Sequence, residues 1–341
     1  MVTKLDAEID KQMREQNLPG VVVAISVPGR GEYIAVKGMA NLETRRARAL
    51  DDPFRIASIT KTFTATAILQ LVDQGHLKKS DTLSKWFPNF PNADLITVDD
   101  LLRMRSGIPD AWDEDLLSYY YKNPLSDMTV RDIIRRAAIM GDRLGPPDQT
   151  TKYTNVNYSL LEEIIRKASR NPIDVQITEG ILKPLKMKHS LYPVTSDLPG
   201  QLHGYSWNIQ TKKFDDKTIL NPALPGGAGA MISTGADLQT YVRALCTGTL
   251  LKPATHKARL ESKPVEGIPE FVQYGEGIIR LGKFCGHDGT IFGFSSDLFY
   301  LPEKDATIVI NVNRLDLDDK SFSSPLFFAL TKILFPEYVN W

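Results

Sequence analysis

The sequence predicts an α/β (α+β) fold: an antiparallel sheet built from both termini, flanked by the terminal helices, with a mostly helical region inserted. Three observations predict it. β-rich runs occupy 21–27 and 33–36 near the start of the chain, and 277–281, 294–301 and 307–312 near its end. From residue 58 to about 263 the pattern is mainly helical, broken by Pro/Gly loops. Helical periodicity also marks the first and last segments. Strands at both ends close into one sheet only if the termini meet, and the faces of that sheet then need helical cover. The expected division is a sheet region of 1–66 and 264–341, an inserted helical region of 67–263, and an active site where the two meet.

Each element has its own signal. Leu5, Ile9 and Met13 recur at helical spacing, with Thr3 and Asp6 placed as a capping box, and this first helix stops before Leu18-Pro19-Gly20. The runs 21–27 and 33–36 are split by Pro28-Gly29-Arg30-Gly31, the pattern of a hairpin. Beyond Ser58, the stripe Ile59, Phe63, Ala67 and Leu71 makes a helix to about Gly75. Helices are further expected over 98–103, 130–140, 158–169 and 236–246, and an apolar helix over 325–334 closes the chain.

Composition narrows the function. The 341 residues are 42% hydrophobic and 24% charged, which is ordinary for a soluble globular chain. The 41 basic and 41 acidic residues cancel, so charge supports neither a nucleic-acid partner nor an acidic tail. No run of 18 apolar residues occurs, so no transmembrane helix is expected. The N-terminus carries no apolar signal core; the chain is then cytoplasmic, or periplasmic or secreted if a leader was removed. Cys246 and Cys285 are too few for a disulfide framework and lack ligand spacing, so the expectation is two buried or half-buried thiols, with no metal and no organic cofactor. Oligomeric state stays open.

Three elements carry chemistry. Ser58-Ile59-Thr60-Lys61 opens a helix, where residues three apart share a face and an amine can reach a hydroxyl. The helix N-terminus favours developing negative charge, and a lysine acts as a base there only if burial or neighbouring cations depress its pKa. The motif also arises by chance in a chain this long, as a serine cap beside a solvated lysine, so its weight depends on partner residues elsewhere in the chain. Tyr153-Thr154-Asn155 places a phenol and a carboxamide two apart, able to face one cleft from an extended segment; Tyr121/Asn123 and Tyr338/Asn340 repeat the spacing. Gly286-His287-Asp288-Gly289-Thr290 lies between β-rich runs, where glycines let an edge strand approach a ligand and offer a backbone N–H to an oxyanion. A lone His287 is otherwise a structural imidazole bonded to a nearby carbonyl.

In this order the elements resemble the serine β-lactamase and penicillin-recognising DD-peptidase superfamily, in its class C β-lactamase and carboxypeptidase branch, whose signature is S-x-x-K, Y-x-N, then K-T-G or H-T-G. Residues 54–61, 69–75, 101–109 and 227–234 also resemble that family's segments, so the likeness runs along nearly the whole chain. It implies that Ser58 attacks a carbonyl while Lys61 and Tyr153 share the proton work. The backbone N–H groups of Ser58 and Thr290 would hold the oxyanion, and Asn155, His287, Asp288 and Gly289 would bind substrate. Asp288 departs from the pattern, since a hydroxyl there binds a substrate carboxylate and an aspartate repels one. Arg280 could compensate if it faced the site. The implied activity is a serine acyl hydrolase acting on D-amino-acid peptides, β-lactams or related amides and esters, with a small-molecule or peptide substrate. A carboxylesterase and a non-catalytic peptide-binding scaffold are the alternatives. A phosphate-loop match over 277–283 fails because Phe284 stands where the metal-binding hydroxyl belongs.

Overall fold

The computed structural model describes residues 1–141 and 145–339; Asn340, of the last Tyr-x-Asn triplet, lies outside them. Helix α1 (Val2–Glu15) leads into strands β1 (Gly20–Val27), β2 (Gly31–Asn41) and β3 (Arg46–Ala47). Strand β4 (Phe54–Arg55) and one 3-10 turn (Ala57–Ile59) deliver the chain to α2 (Thr60–Asp73). Then come α3 (Val98–Leu102), α4 (Glu114–Lys122), α5 (Val130–Ile139), α6 (Val156–Ser169) and α7 (Ile173–Ile177). A small hairpin of β5 (Tyr205–Asn208) and β6 (Lys213–Asp216) precedes α8 (Gly226–Gly229), β7 (Ile232–Ser233), α9 (Gly235–Thr247) and α10 (Pro253–Leu260). The chain ends with β8 (Lys263–Pro264), β9 (Val272–Tyr274), β10 (Ile279–Leu281), β11 (Phe284–Ile291), β12 (Phe294–Leu301), β13 (Ala306–Val312) and α11 (Ser324–Leu334).

Among the described residues, nine strands form one antiparallel sheet in the order β3-β2-β1-β13-β12-β11-β10-β9-β8. The two ends of the chain join where β1 pairs with β13, Val23 opposite Ile310. Both strands are apolar on successive residues rather than alternate ones, because helices cover both faces. On one face α11 lays Phe327 against Phe299 and Phe284, with ring centroids 4.7 and 5.5 Å apart. On the other, α9 packs along β1, β13 and β12. Between α9 and the remaining helices runs α2, with Phe63 stacked on Tyr241 at 3.6 Å. It is buried all round despite four threonines, because the Thr62 and Thr66 hydroxyls donate to the carbonyls of Ile59 and Thr62, both at 2.7 Å, and Thr64 donates to Gly227. Among the described residues no helix is long and apolar enough to cross a membrane.

Two expectations are corrected. The capping box at Thr3 does not form: α1 starts at Val2 with Met1 at its cap and no side-chain cap bond. Asp6 instead accepts from the Tyr33 hydroxyl at 2.8 Å and pairs with Lys37, so strand β2 has claimed the carboxylate. The two cysteines are not free thiols. Cys246 of α9 and Cys285 of β11 form a disulfide, with Cα atoms 6.1 Å apart. Nothing in a separation of 39 residues announces it; it arises because α9 packs on the face toward which Cys285 points.

Candidate active site

Ser58 sits in the 3-10 turn that leads into α2, and Ala57 before it has φ of 50°, in the left-handed region. A side chain there is strained by about 1–2 kcal/mol. The neighbourhood imposes it: the Ile56 amide donates to the Met231 carbonyl at 2.9 Å, β4 pairs with β7, and the Met231 amide donates to the Thr60 hydroxyl at 3.0 Å. The strained turn holds the Ser58 hydroxyl over the first turn of α2, where Lys61 meets it.

Lys61 is fully buried, and its Nζ lies 2.9 Å from Ser58 Oγ, 2.8 Å from Asn155 Oδ1 and 2.8 Å from the Ala228 carbonyl oxygen. Burial pulls its pKa from 10.5 to about 7, against the opposing pull of Asp110, Asp288 and Asp319. A neutral amine has two protons and one lone pair. Asn155 Oδ1 and the Ala228 carbonyl can only accept, so in the neutral form the lone pair faces Ser58, whose hydroxyl then donates to it, whereas the protonated amine donates to Oγ. Tyr153 is also hydrogen-bonded to Ser58, and burial raises its phenol well above the usual range, so it stays protonated and donates to Oγ. Its ring lies 4.9 Å from Lys61 Nζ. A phenol, a hydroxyl and an amine thus form one proton path.

Asn155 is oriented by a residue that the sequence motifs do not single out. Asp110 Oδ2 accepts from Asn155 Nδ2 at 2.9 Å and Oδ1 accepts from the Asn155 amide at 3.3 Å, which turns Asn155 Oδ1 toward Lys61. Burial raises the Asp110 pKa, and its N–H donors and Lys61 oppose the rise. Asp110 directly follows Ser106-Gly107-Ile108-Pro109. Spacing gave no signal for it, since Asp110 and Asn155 meet only through the packing of α3 on α6.

Strand β11 supplies the remaining wall. It pairs with β12 along its length but with β10 only over Phe284 to Gly286, so from His287 onward one edge is open. Gly289 lets this edge reach Ser58: a Cβ here would collide with the Ile56 carbonyl oxygen and stand 3.1 Å from the Ser58 nitrogen. Thr290 follows, and its hydroxyl is hydrogen-bonded to Asp319. His287 points to the other face, toward Tyr153 and Tyr274. Its Nδ1–H donates to the Asp288 carbonyl at 2.6 Å, leaving Nε2 to accept from Tyr274 at 3.3 Å. Burial first, then Lys61, lowers its pKa to about 3, so the ring is neutral. This is the carbonyl-bonded imidazole expected of a lone histidine, and it also packs on Tyr153.

These groups open onto a cavity of about 550 Å3 lined by Ser58, Tyr153, Asn155, Asp110, Asp288 and Thr290, with apolar walls that include Trp112 and Phe292. Ile279 and Leu281 of β10 line it. Arg280 between them therefore points to the opposite face, and it is not among the residues that line the cavity. Asp288 is half-exposed by area, but that area faces the cavity, and burial raises its pKa. Among the described residues no cluster of His, Cys, Asp and Glu is placed to hold a metal ion.

Comparison with known proteins agrees in fold. The model of the family described as Beta-lactamase matches residues 5–324. Protein flp of Staphylococcus aureus (strain MW2) is 27% identical over 326 residues, covering 91% of this chain and 62% of that protein, so the chain spans less than two thirds of this relative's length. A D-stereospecific amidohydrolase from Streptomyces sp. superposes with a TM-score of 0.82 at 27% identity, covering 94% of each chain. The D-amino acid amidase from Ochrobactrum anthropi SV3, complexed with D-phenylalanine, gives 0.82 at 25% identity over 97% of this chain and 99% of that one.

Proposed function

We propose, from the premise that this chain belongs to the Beta-lactamase family, that it is a serine amidase working through a Ser58 acyl-enzyme. The observation that carries the proposal is the buried Lys61 amine, hydrogen-bonded to Ser58 Oγ at 2.9 Å with its pKa drawn down to about 7. Lys61 takes the Ser58 proton as Oγ attacks a carbonyl carbon. The backbone N–H groups of Ser58 and Thr290 receive the oxyanion, each donor contributing a factor of about 10²–10³. Tyr153, protonated and bonded to Ser58, hands its proton to the departing nitrogen and recovers one from Lys61. Water then releases the acyl group by the reverse path.

The substrate class follows from charge. A DD-carboxypeptidase or an efficient β-lactamase must hold a carboxylate, and Asp288 stands where a hydroxyl would do so. With Arg280 outside the lining, no described lysine or arginine lines the cavity to offset that repulsion. Amides of D-amino acids lack the carboxylate, and two of the similar structures carry D-amino acid amidase or D-stereospecific amidohydrolase in their names. We therefore place D-amino-acid amides ahead of β-lactams and of peptides with a free C-terminal carboxylate, and ahead of carboxylic esters or a purely binding role. Hydrolysis of D-alanine p-nitroanilide, with intact-protein mass to detect an acyl adduct, tests the reading. Ser58→Ala should abolish both signals, and turnover persisting in that variant would sink the assignment.

A further inference from the structure

The cavity continues past Ser58 to the other side of the open strand. Asp288 of β11 and Asp297 of β12 lie directly opposite one another in register, so they share a face, the one covered by α11. Ile279 and Leu281 of β10, Phe299 of β12, and Phe328 and Ser324 of α11 wall this arm of the same cavity together with Asp297. Asp297 is 2% exposed. Its oxygens accept from the Ser324 hydroxyl at 3.2 and 3.3 Å and from the Ser323 side chain, and its charged neighbour is a second carboxylate, Asp288. Burial and that neighbour push its pKa up to about 7.

A buried carboxylate without a cation is destabilising by several kcal/mol. Tethering the start of α11 does not require a charge, because the carbonyl oxygen of an asparagine has two lone pairs, one for each of the Ser323 and Ser324 hydroxyls. The charge is therefore unexplained by packing. The walls beside it are methyl, methylene and phenyl surface, which accept an alkyl chain.

We propose that this arm is a subsite for an alkylammonium group, the apolar walls taking the methylene chain and Asp297, with Asp288 opposite, taking the cation. The inference rests on the amidase reading and extends it: preferred substrates carry an aliphatic side chain ending in an amine. Mutual repulsion between the two carboxylates is relieved when one cation sits between them, so the empty site is destabilised and the filled one is not.

The test compares kcat/KM for the p-nitroanilides of D-lysine and D-norleucine, which share a four-carbon side chain and differ in the terminal ammonium group. The expected lysine-to-norleucine ratio is tenfold or more, collapsing toward unity in Asp297→Asn. A ratio near unity in the native enzyme, or one unchanged in Asp297→Asn, overturns the subsite. A binding measurement separates this from the amidase reading. n-Pentylammonium chloride should raise the melting temperature of both the native protein and Ser58→Ala, and 1-pentanol should not. If Ser58→Ala shows the shift while neither anilide is turned over, the subsite stands and the amidase reading falls. If n-pentylammonium gives no shift, or an equal one in Asp297→Asn, the subsite falls whatever the anilides do.

Discussion

Replacing Lys61 by methionine should make the protein's stability respond differently to pH, by an amount set by the burial of the amine. The folded amine titrates at about 7 and a free one at 10.5. Between those values the unfolded chain holds a proton that the folded chain lacks, so native stability rises with pH through this window. The penalty of burying the amine is fully present below pH 7 and gone above 10.5, a total of roughly 5 kcal/mol. Methionine carries no such penalty. It also leaves Ser58, Asn155 and the Ala228 carbonyl without their Nζ partner, a loss of about 1–3 kcal/mol for each group left unsatisfied, but one that does not vary with pH. The slope of the difference therefore isolates the titration. Urea unfolding of both proteins from pH 6 to 9 should show the native protein gaining on Lys61→Met by about 1.4 kcal/mol per pH unit above pH 7, near 3 kcal/mol by pH 9. The native enzyme's kcat/KM should rise with an inflection near 7 as the base loses its proton. A flat stability difference across that range would refute the reasoning, because it would mean that the folded amine keeps its ordinary pKa and is no base.

Other sites give equally direct tests. Gly289→Ala forces a methyl group into the Ile56 carbonyl; overpacking of this kind destabilises by about 1–3 kcal/mol. Displacing β11 from Ser58 should lower kcat about a hundredfold with little change in KM, while unaltered kcat would remove β11 from the oxyanion site. Replacing Cys246 and Cys285 together by alanine opens a loop closed across 39 residues, which lowers stability by about 2–4 kcal/mol. The melting temperature of the native protein should fall correspondingly on reduction with dithiothreitol, and that of the double variant should not move. Asp288→Thr should speed acylation by benzylpenicillin, measured as adduct mass against time, and should shift the acidic limb of kcat/KM below its native position, because a carboxylate that raises the Lys61 pKa is gone. A slower or unchanged acylation rate counts against Asp288 as the source of the repulsion.

Much of the architecture was legible because periodicity reports burial. The hairpin of β1 and β2, the helix after Ser58 and the closing helix α11 each fall within a few residues of expectation. Ser58 and Lys61 were legible as a pair since three residues on a helix is a fixed geometry. What escaped depends on contacts between distant segments. Asp110 matters only because α3 packs on α6 and brings it to Asn155. The Cys246–Cys285 bond depends on which face of the sheet α9 covers. Strand β11 was not recognised as continuous because its glycines break the β pattern; pairing with β12 holds it extended. The direction of Arg280 waited on the register of β10, which a sequence alone leaves free by one residue. Asp6 misled for the same reason, since a local cap competes with partners from another strand.

If the proposed amidase reading holds, the charges around Lys61 would select substrate in two ways at once. Burial lowers its pKa and outweighs Asp110, Asp288 and Asp319, which all act in the opposite direction. The balance at about 7 is therefore sensitive to any charge that enters the cavity. A bound carboxylate adds to the three already there, favours the protonated amine and removes the base just when the acyl carbon arrives. A bound ammonium does the reverse, offsetting the carboxylates and leaving Lys61 free of its proton at neutral pH. At separations of several ångströms in a partly dry cavity, one such charge moves a pKa by roughly one to two pH units. An anionic ligand is thus repelled by Asp288 and then meets a weakened base, whereas a cationic one is attracted and meets a stronger supply of free amine. The same carboxylates that make a carboxypeptidase reading difficult make an amidase for amine-bearing substrates coherent, and in both cases the effect is exerted on one buried nitrogen.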